Sequence, residues 1–190
     1  NLVIDNAYIK YPADGEDCYA SAIAGTIYGN ILFENITVKN STITGNNKVG
    51  ALIAHDGVMT APFTVSGCDV SGTTFEATDA ADCGLVGGLV GYFQTGGEHH
   101  ITNCSVKGCT FNVANSRNNG ARANGLLFGG INSKAGQKLY INGAVIENNT
   151  WNEKFYVDGV EVTEGKFVSP YGRLIGGERD DKAQGELYID

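Results

Sequence analysis

The chain repeats itself, and the repeat limits what it can fold into more than any other feature. Sliding the 190 residues along themselves gives one template: apolar, any, Asn/Gly, small apolar, any, Val/Ile, any, Asn/Gly, any, Thr, large apolar. Five copies can be read. The leading apolar position is Ile4, Phe33, Val65, Ile101 and Ile141, and the Val/Ile column is Ile9, Val38, Val70, Val106 and Ile146. The first turn column is Asn6, Asn35, Gly67, Asn103 and Gly143, followed by Ala7, Ile36, Cys68, Cys104 and Ala144. The last four copies add Asn40, Gly72, Gly108 and Asn148, then Thr42, Thr74, Thr110 and Thr150, then Ile43, Phe75, Phe111 and Trp151. The first copy loses these columns at Tyr11-Pro12-Ala13. A glycine-rich signature follows each copy, with its leucine-type position at Ile23, Leu52, Leu89, Leu127 and Leu174.

These columns describe a solenoid of short parallel strands in which each coil lies about 4.8 Å above the last. A corner between two short strands needs a residue that tolerates a left-handed backbone, and glycine and asparagine do so at least cost. Two Asn/Gly columns therefore mark two corners per coil. Between them, apolar residues one position apart, such as Cys104 and Val106, point inward with a variable residue pointing out. Cys68 and Cys104 become a stacked core pair. The spine expected to run through the interior is Val38, Val70, Val106 and Ile146.

Copy spacings of 29, 32, 36 and 40 residues exclude a rigid closed repeat and fit coils with elastic loops. Residues 1–190 read as a single domain of about five coils. Leu187-Tyr188-Ile189-Asp190 begins the template again, so the chain is expected to be cut from, or continued by, a longer array, and end-to-end stacking with neighbouring repeats is expected. Twenty-seven glycines argue against helices, where each would cost roughly 1 kcal/mol. Net charge is −8, with 13 basic against 21 acidic residues, which excludes attraction to nucleic acid or an anionic membrane surface. No apolar run approaches the ~20 residues of a membrane helix. The first residues lack the pattern of a secretion signal. Cys18, Cys68, Cys83, Cys104 and Cys109 are odd in number and lack paired Cys-x-x-Cys spacing, so they read as buried thiols rather than a disulfide framework or zinc knuckle.

The stretch Gly87-Gly88-Leu89-Val90-Gly91-Tyr92, then Gly97, then Ile101-Thr102-Asn103-Cys104-Ser105-Val106-Lys107-Gly108, resembles the GLUG-motif repeat of bacterial surface proteins. Weaker versions cover nearly the whole chain. The resemblance implies a right-handed parallel β-helix of the pectin-lyase-like kind, in secreted or surface-anchored proteins that include adhesins and non-catalytic parts of immunoglobulin A peptidase-like proteins. The chain departs from a regular array in its long third-strand insertions and its degenerate first copy.

Those insertions, 44–49, 76–86, 112–124 and 152–171, grow through 6, 11, 13 and 20 residues and are expected to form a wall on one side. Loops on a rigid scaffold are where binding usually resides. In the longest, Asp158-Gly159 between β-prone flanks signals a hairpin. Tyr156 there, Tyr171 nearby, and Arg117 and Arg122 on the preceding loop are the candidate binding residues for sugar or protein, with loop packing as the plain alternative. For catalysis, the candidates are Asp5 and Glu34, expected one coil apart, with Asp69 on the next, as an acid, base or lyase metal cluster. Solvated surface charge explains the same residues. The threonine column is expected to face out, and its second row, Thr44, Glu76, Asn112 and Asn152, is too mixed for an ice-binding surface. His99 and His100 would point to opposite faces of a strand, and with His55 they read as surface histidines. The acidic groups near Asp14, Asp79 and Glu178 match no spaced calcium loop, and no metalloprotease, phosphate-loop or nucleophile-elbow motif occurs. The sequons at Asn35, Asn40, Asn103 and Asn148 fall on corner columns, so backbone geometry accounts for them.

The reading is a non-catalytic extracellular or cell-surface bacterial module that binds a glycan or host protein in the manner of an adhesin, or serves as a structural scaffold. No metal and no cofactor are expected. The alternative is a carbohydrate-active β-helix enzyme, a polysaccharide lyase or glycoside hydrolase, using Asp5, Glu34 and Asp69.

Overall fold

The computed structural model describes residues 1–11, 19–57, 62–77, 84–93, 96–116, 124–131, 136–157, 160–161, 174–176 and 186–190. It is a parallel β-solenoid. Among the described residues every inter-strand pairing is parallel except one hairpin, Thr150–Val157 with Val160–Glu161, and apart from that hairpin sequence neighbours lie in different sheets. In the order the repeat meets them, the first sheet stacks Ile31–Glu34, Phe63–Ser66, Glu98–Thr102, Lys138–Asn142 and Glu186–Ile189. The second stacks Leu2–Asp5, Ile36–Lys39, Asp69–Ser71, Ser105–Lys107 and Val145–Glu147. The third holds Tyr8–Lys10, Thr42–Thr44, Thr74–Ala77, Thr110–Ser116 and Thr150–Val157, with Val160–Glu161 added at its edge. The fourth has three strands, Tyr19–Ser21, Lys48–Gly50 and Val86–Gly87, and the fifth has four, Ala24–Ile27, Ile53–Asp56, Val90–Phe93 and Phe128–Ile131.

Among the described residues three windings carry a strand on all five faces, against the expected count of about five coils. Beyond them, among the described residues, the fifth sheet adds the strand Phe128–Ile131, and the two sheets otherwise continue as the bridges Gly87↔Gly125 and Phe128↔Ile175.

The corners explain the template. Asn35, Gly67, Asn103 and Gly143 sit at φ of 53°, 58°, 51° and 64°, and Asn40, Gly72, Gly108 and Asn148 at 50°, 54°, 60° and 55°. Both columns are left-handed at every copy. Only Asn and Gly hold that conformation without the cost of ~1–2 kcal/mol that a Cβ normally brings.

Stacking gives the interior its spine. Val38, Val70, Val106 and Ile146 pair in succession, and the first three are fully buried. Phe33, Val65, Ile101, Ile141 and Ile189 form a second inward column. Ile43, Phe75, Phe111 and Trp151 form a third, with ring centroids 4.8 Å apart for Phe75–Phe111 and 5.2 Å for Phe111–Trp151. Each fully buried side chain of this size contributes roughly 1.5–3 kcal/mol. Cys68 and Cys104 occupy adjacent rungs of the core as expected, and Cys109 is buried in another column. All three are free thiols, and burial pushes Cys109 above the ordinary thiol range, while Cys68 and burial together hold Cys104 up.

The first copy does not take the register expected of it. Ile4 pairs with Val38 and Ile9 with Ile43, so the chain enters in the second sheet, and Asn6 (φ 55°) belongs to the column of Asn40. Tyr8 accordingly heads the threonine column, Tyr8↔Thr42↔Thr74↔Thr110↔Thr150.

The glycine signature is a tight reversal between the fourth and fifth sheets. Leu52, Leu89, Leu127 and Leu174 stack at its tip through main-chain bonds, and the first three are fully buried. Gly50 and Gly91 let the two strands close up: a Cβ on Gly50 would lie 2.2 Å from the Ile53 carbonyl oxygen, and one on Gly91 2.6 Å from that of Ala54. The outer faces of these sheets consequently meet each other rather than solvent. Lys48 and Asp56 are buried there, and His55, 9% exposed, stacks between Tyr19 and Tyr92 at 5.0 and 5.4 Å.

Candidate functional site

The strands bracketing the four insertions are stacked in register, Thr44/Glu76/Asn112/Asn152 on the exit side, with Val49/Val86 paired on the return. The insertions therefore leave from one side of the solenoid. Arg117, Arg122 and Tyr171 lie outside the described residues. Tyr156 is half-buried and sits on the hairpin that Asp158-Gly159 announced: Tyr156 pairs with Glu161 and Val157 with Val160, antiparallel, and the Lys154 ammonium lies 3.1 Å from the Glu161 carboxylate.

The carboxylates proposed for catalysis are not brought together. Asp5 stacks on Lys39, 3.2 Å away, and accepts a hydrogen bond of 2.9 Å from Asn40. The Asn40 amide and the Lys39 ammonium hold its carboxyl below the usual carboxylate range. Glu34 pairs with Ser66 in the first sheet, across the Asn35 corner from the second. Asp69 sits between Thr37 and Ser105 and accepts from the Ser105 hydroxyl. Asp5 and Asp69 are two coils and two residues apart, ~12 Å between Cα atoms. The displacement follows from the first copy's register: Ile4 stands in the Val38 column, so Asp5 faces Lys39 and not Glu34.

Other outward charges also pair along the stacking direction. Lys107 lies 3.8 Å from Glu147 and Lys138 3.5 Å from Glu98. The Tyr140 phenol first, and then the Glu98 and Glu186 carboxylates, keep the Lys138 ammonium charged to a higher pH than usual. Exposed to solvent and screened by salt, pairs of this kind add little to stability. Among the described residues no group of three His, Cys, Asp or Glu side chains could hold a metal ion. Nor is any helix among them long and apolar enough to cross a membrane.

The histidines correct a sequence expectation. His99 and His100 do point to opposite faces, but His99 is fully buried, its Nδ1 accepting from the Phe63 main-chain N–H at 3.2 Å and its ring edge-on to Phe93 at 4.5 Å. His55 is buried as described. Only His100 is exposed.

His100 opens a feature that column reading missed. On the outer face of the first sheet, its ring stacks on Tyr140 at 4.8 Å with an interplanar angle of 6°, and Tyr140 stacks on Tyr188 at 4.7 Å and 10°. Two residues along each strand runs a parallel polar row, Thr102, Asn142 and Asp190, in which the Asn142 amide donates to the Asp190 carboxylate at 3.4 Å. A groove of about 720 Å³ lies along the two rows, inside the usual range for ligand sites. On its far side the Tyr188 hydroxyl donates to Glu186.

Comparison of the chain with protein-family models, with curated proteins and with solved structures returned no match.

Proposed function

We propose that this chain is a non-catalytic β-solenoid module of the GLUG-repeat, pectin-lyase-like kind, belonging to a bacterial extracellular or cell-surface protein and binding a glycan or host protein on its flank. The observation that carries this reading is the use of the outward charges. Asp5 is engaged by Lys39 and Asn40 and Asp69 by Ser105, while Glu34 stands in the first sheet across the Asn35 corner from both, so the three candidate carboxylates do not converge on one site. The flank that remains is a regular outer surface with an aromatic row and a groove, which is the form of a binding face on a rigid support.

The test sets binding against turnover. The purified chain is screened on glycan and immunoglobulin arrays and incubated with acidic polysaccharides while unsaturated products and new reducing ends are followed. Retention by a ligand without product release is expected. Turnover that disappears in a variant carrying Asp5→Ala, Glu34→Ala and Asp69→Ala overturns the reading in favour of an enzyme; silence on every array reduces the chain to a spacer.

A further inference from the structure

We infer that the groove on the outer face of the first sheet is a binding site for a neutral, hydroxyl-rich glycan laid along the solenoid axis. This rests on the binding-module reading and specifies its ligand.

Packing does not call for rings at this place. The first sheet's interior column, Phe33 through Ile189, lies on the opposite face, and the outward row below the rings is Leu32 and Thr64. From the third rung upward the row changes to His100, Tyr140 and Tyr188.

The way the rings stand decides the ligand class. The rings stack at 4.7–4.8 Å and nearly parallel, so Tyr140 spends both its faces on its neighbours and His100 and Tyr188 one each. They present ring edges and tips to the groove, which leaves no open slot between them for a planar aromatic or a quaternary ammonium, both of which seek a free face. The opposite wall supplies a hydroxyl, an amide and a carboxylate, one per coil, so donors and acceptors recur about every 4.8 Å along the axis. Of the described residues lining the groove none is Lys or Arg, and among them Asp190 is the one side chain of fixed charge, which turns away an anionic polymer. An apolar edge facing a repeating set of hydrogen-bonding groups suits an uncharged polyol chain, with its C–H surface against the rings and its hydroxyls against Thr102, Asn142 and Asp190. Sites of this type discriminate through their hydrogen bonds, because each polar group left unmatched is penalised.

Affinity electrophoresis tests the proposal, with a soluble β-glucan, a mannan and a xylan as neutral probes and polygalacturonate as the anionic comparator. Tyr140→Phe keeps the ring stack and removes one hydroxyl; Asn142→Ala alters an exposed side chain that takes no part in the core. Retardation by at least one neutral probe is expected, with affinity reduced roughly 2–10-fold by each substitution. Circular dichroism and thermal unfolding of both variants should match the parent. Failure of every neutral probe, equal retardation by polygalacturonate, or unchanged affinity in both variants overturns the assignment. Capture of an immunoglobulin or another protein that ignores both substitutions sinks this site but leaves the module reading standing, whereas no retention by any ligand sinks both.

Discussion

Replacing Gly91 by alanine is the sharpest perturbation of the reversal between the fourth and fifth sheets. The added Cβ would lie 2.6 Å from the Ala54 oxygen, 2.7 Å from the Val49 nitrogen and 2.9 Å from the Leu85 oxygen, where ordinary contacts begin at 3.4 Å. All three are backbone atoms, so no side-chain rotation relieves the clash. Two of them, Val49 N and Leu85 O, hydrogen-bond each other at 3.3 Å, so the new methyl presses on a ladder bond between coils. The sheets must part by roughly half an ångström or more, and overpacking of this size costs about 1–3 kcal/mol. For a chain of this length that lowers Tm by roughly 2–12 °C. Ala54 occupies the same column one coil away and is fully buried, so local spacing, and not the methyl itself, sets the cost. Gly96→Ala is the control: its Cβ would meet nothing within 4 Å and its φ is outside the left-handed region, so the change is expected to be neutral or stabilising by up to about 1 kcal/mol. Urea unfolding followed by circular dichroism gives both differences. A Gly91→Ala variant within about 0.5 kcal/mol of the parent, or a Gly96→Ala variant that loses as much, would refute the account of the signature as a close approach of two strands.

Three further outcomes follow from the stacked columns. Phe111→Ala, which empties the centre of the ring column between Phe75 and Trp151, should cost about 3–5 kcal/mol in the same urea assay, against under about 1 kcal/mol for the outward Thr110→Ala beside it. In a variant carrying Cys18→Ser and Cys83→Ser, the remaining Cys68, Cys104 and Cys109, buried among apolar neighbours, should resist an aromatic disulfide reagent at pH 8 until urea unfolds the chain; labelling of that folded variant at the free-thiol rate contradicts their placement. Asp5 should titrate below an ordinary carboxyl by NMR, and Asn40→Ala should move it back up. Because its folded value is depressed, the small stabilisation it supplies is present above the ordinary carboxyl pKa and fades as pH falls through the lowered one, and an unshifted titration would remove the Asn40 contact from the account.

Parallel stacking, both corner columns and the inward spine were legible because each is enforced by a residue chemistry that survives changes in loop length. A left-handed corner accepts Asn or Gly whatever precedes it, as Asn103 and Gly143 show, and inward positions stay apolar while their shapes range from Ile43 to Trp151. The first copy misled because the two corners share one local grammar. Ile4-Asp5-Asn6 matches Phe33-Glu34-Asn35 as well as it matches Val38-Lys39-Asn40, and only the pairing of Tyr8-Ile9-Lys10 with Thr42-Ile43-Thr44 decides between them. The whole catalytic alternative leaned on that ambiguity, since Asp5 reaches Glu34 in one register and Lys39 in the other.

The buried polar residues were missed for one physical reason, which is contact across sheets rather than along them. Lys48, His55 and Asp56 carry the letters of a solvated surface, yet the reversal folds their outer face onto Tyr19 and Tyr92, and no column statistic registers a meeting between strands whose side chains point away from the core. The glycines at 50, 87 and 91 were the available signal, because glycine recurring where no left-handed φ is needed implies a backbone neighbour too near for a Cβ. The aromatic row escaped for the opposite reason. Leu32, Thr64, His100, Tyr140 and Tyr188 span four residue types, so the row is invisible as a consensus and becomes visible only when stacking turns its last three members into a continuous set of rings. A position that the fold leaves free to vary, and that nevertheless gathers rings on adjacent coils, is where a solenoid of this kind has room for a binding function. The search for its ligand therefore belongs on the first sheet's outer face as much as on the loop side.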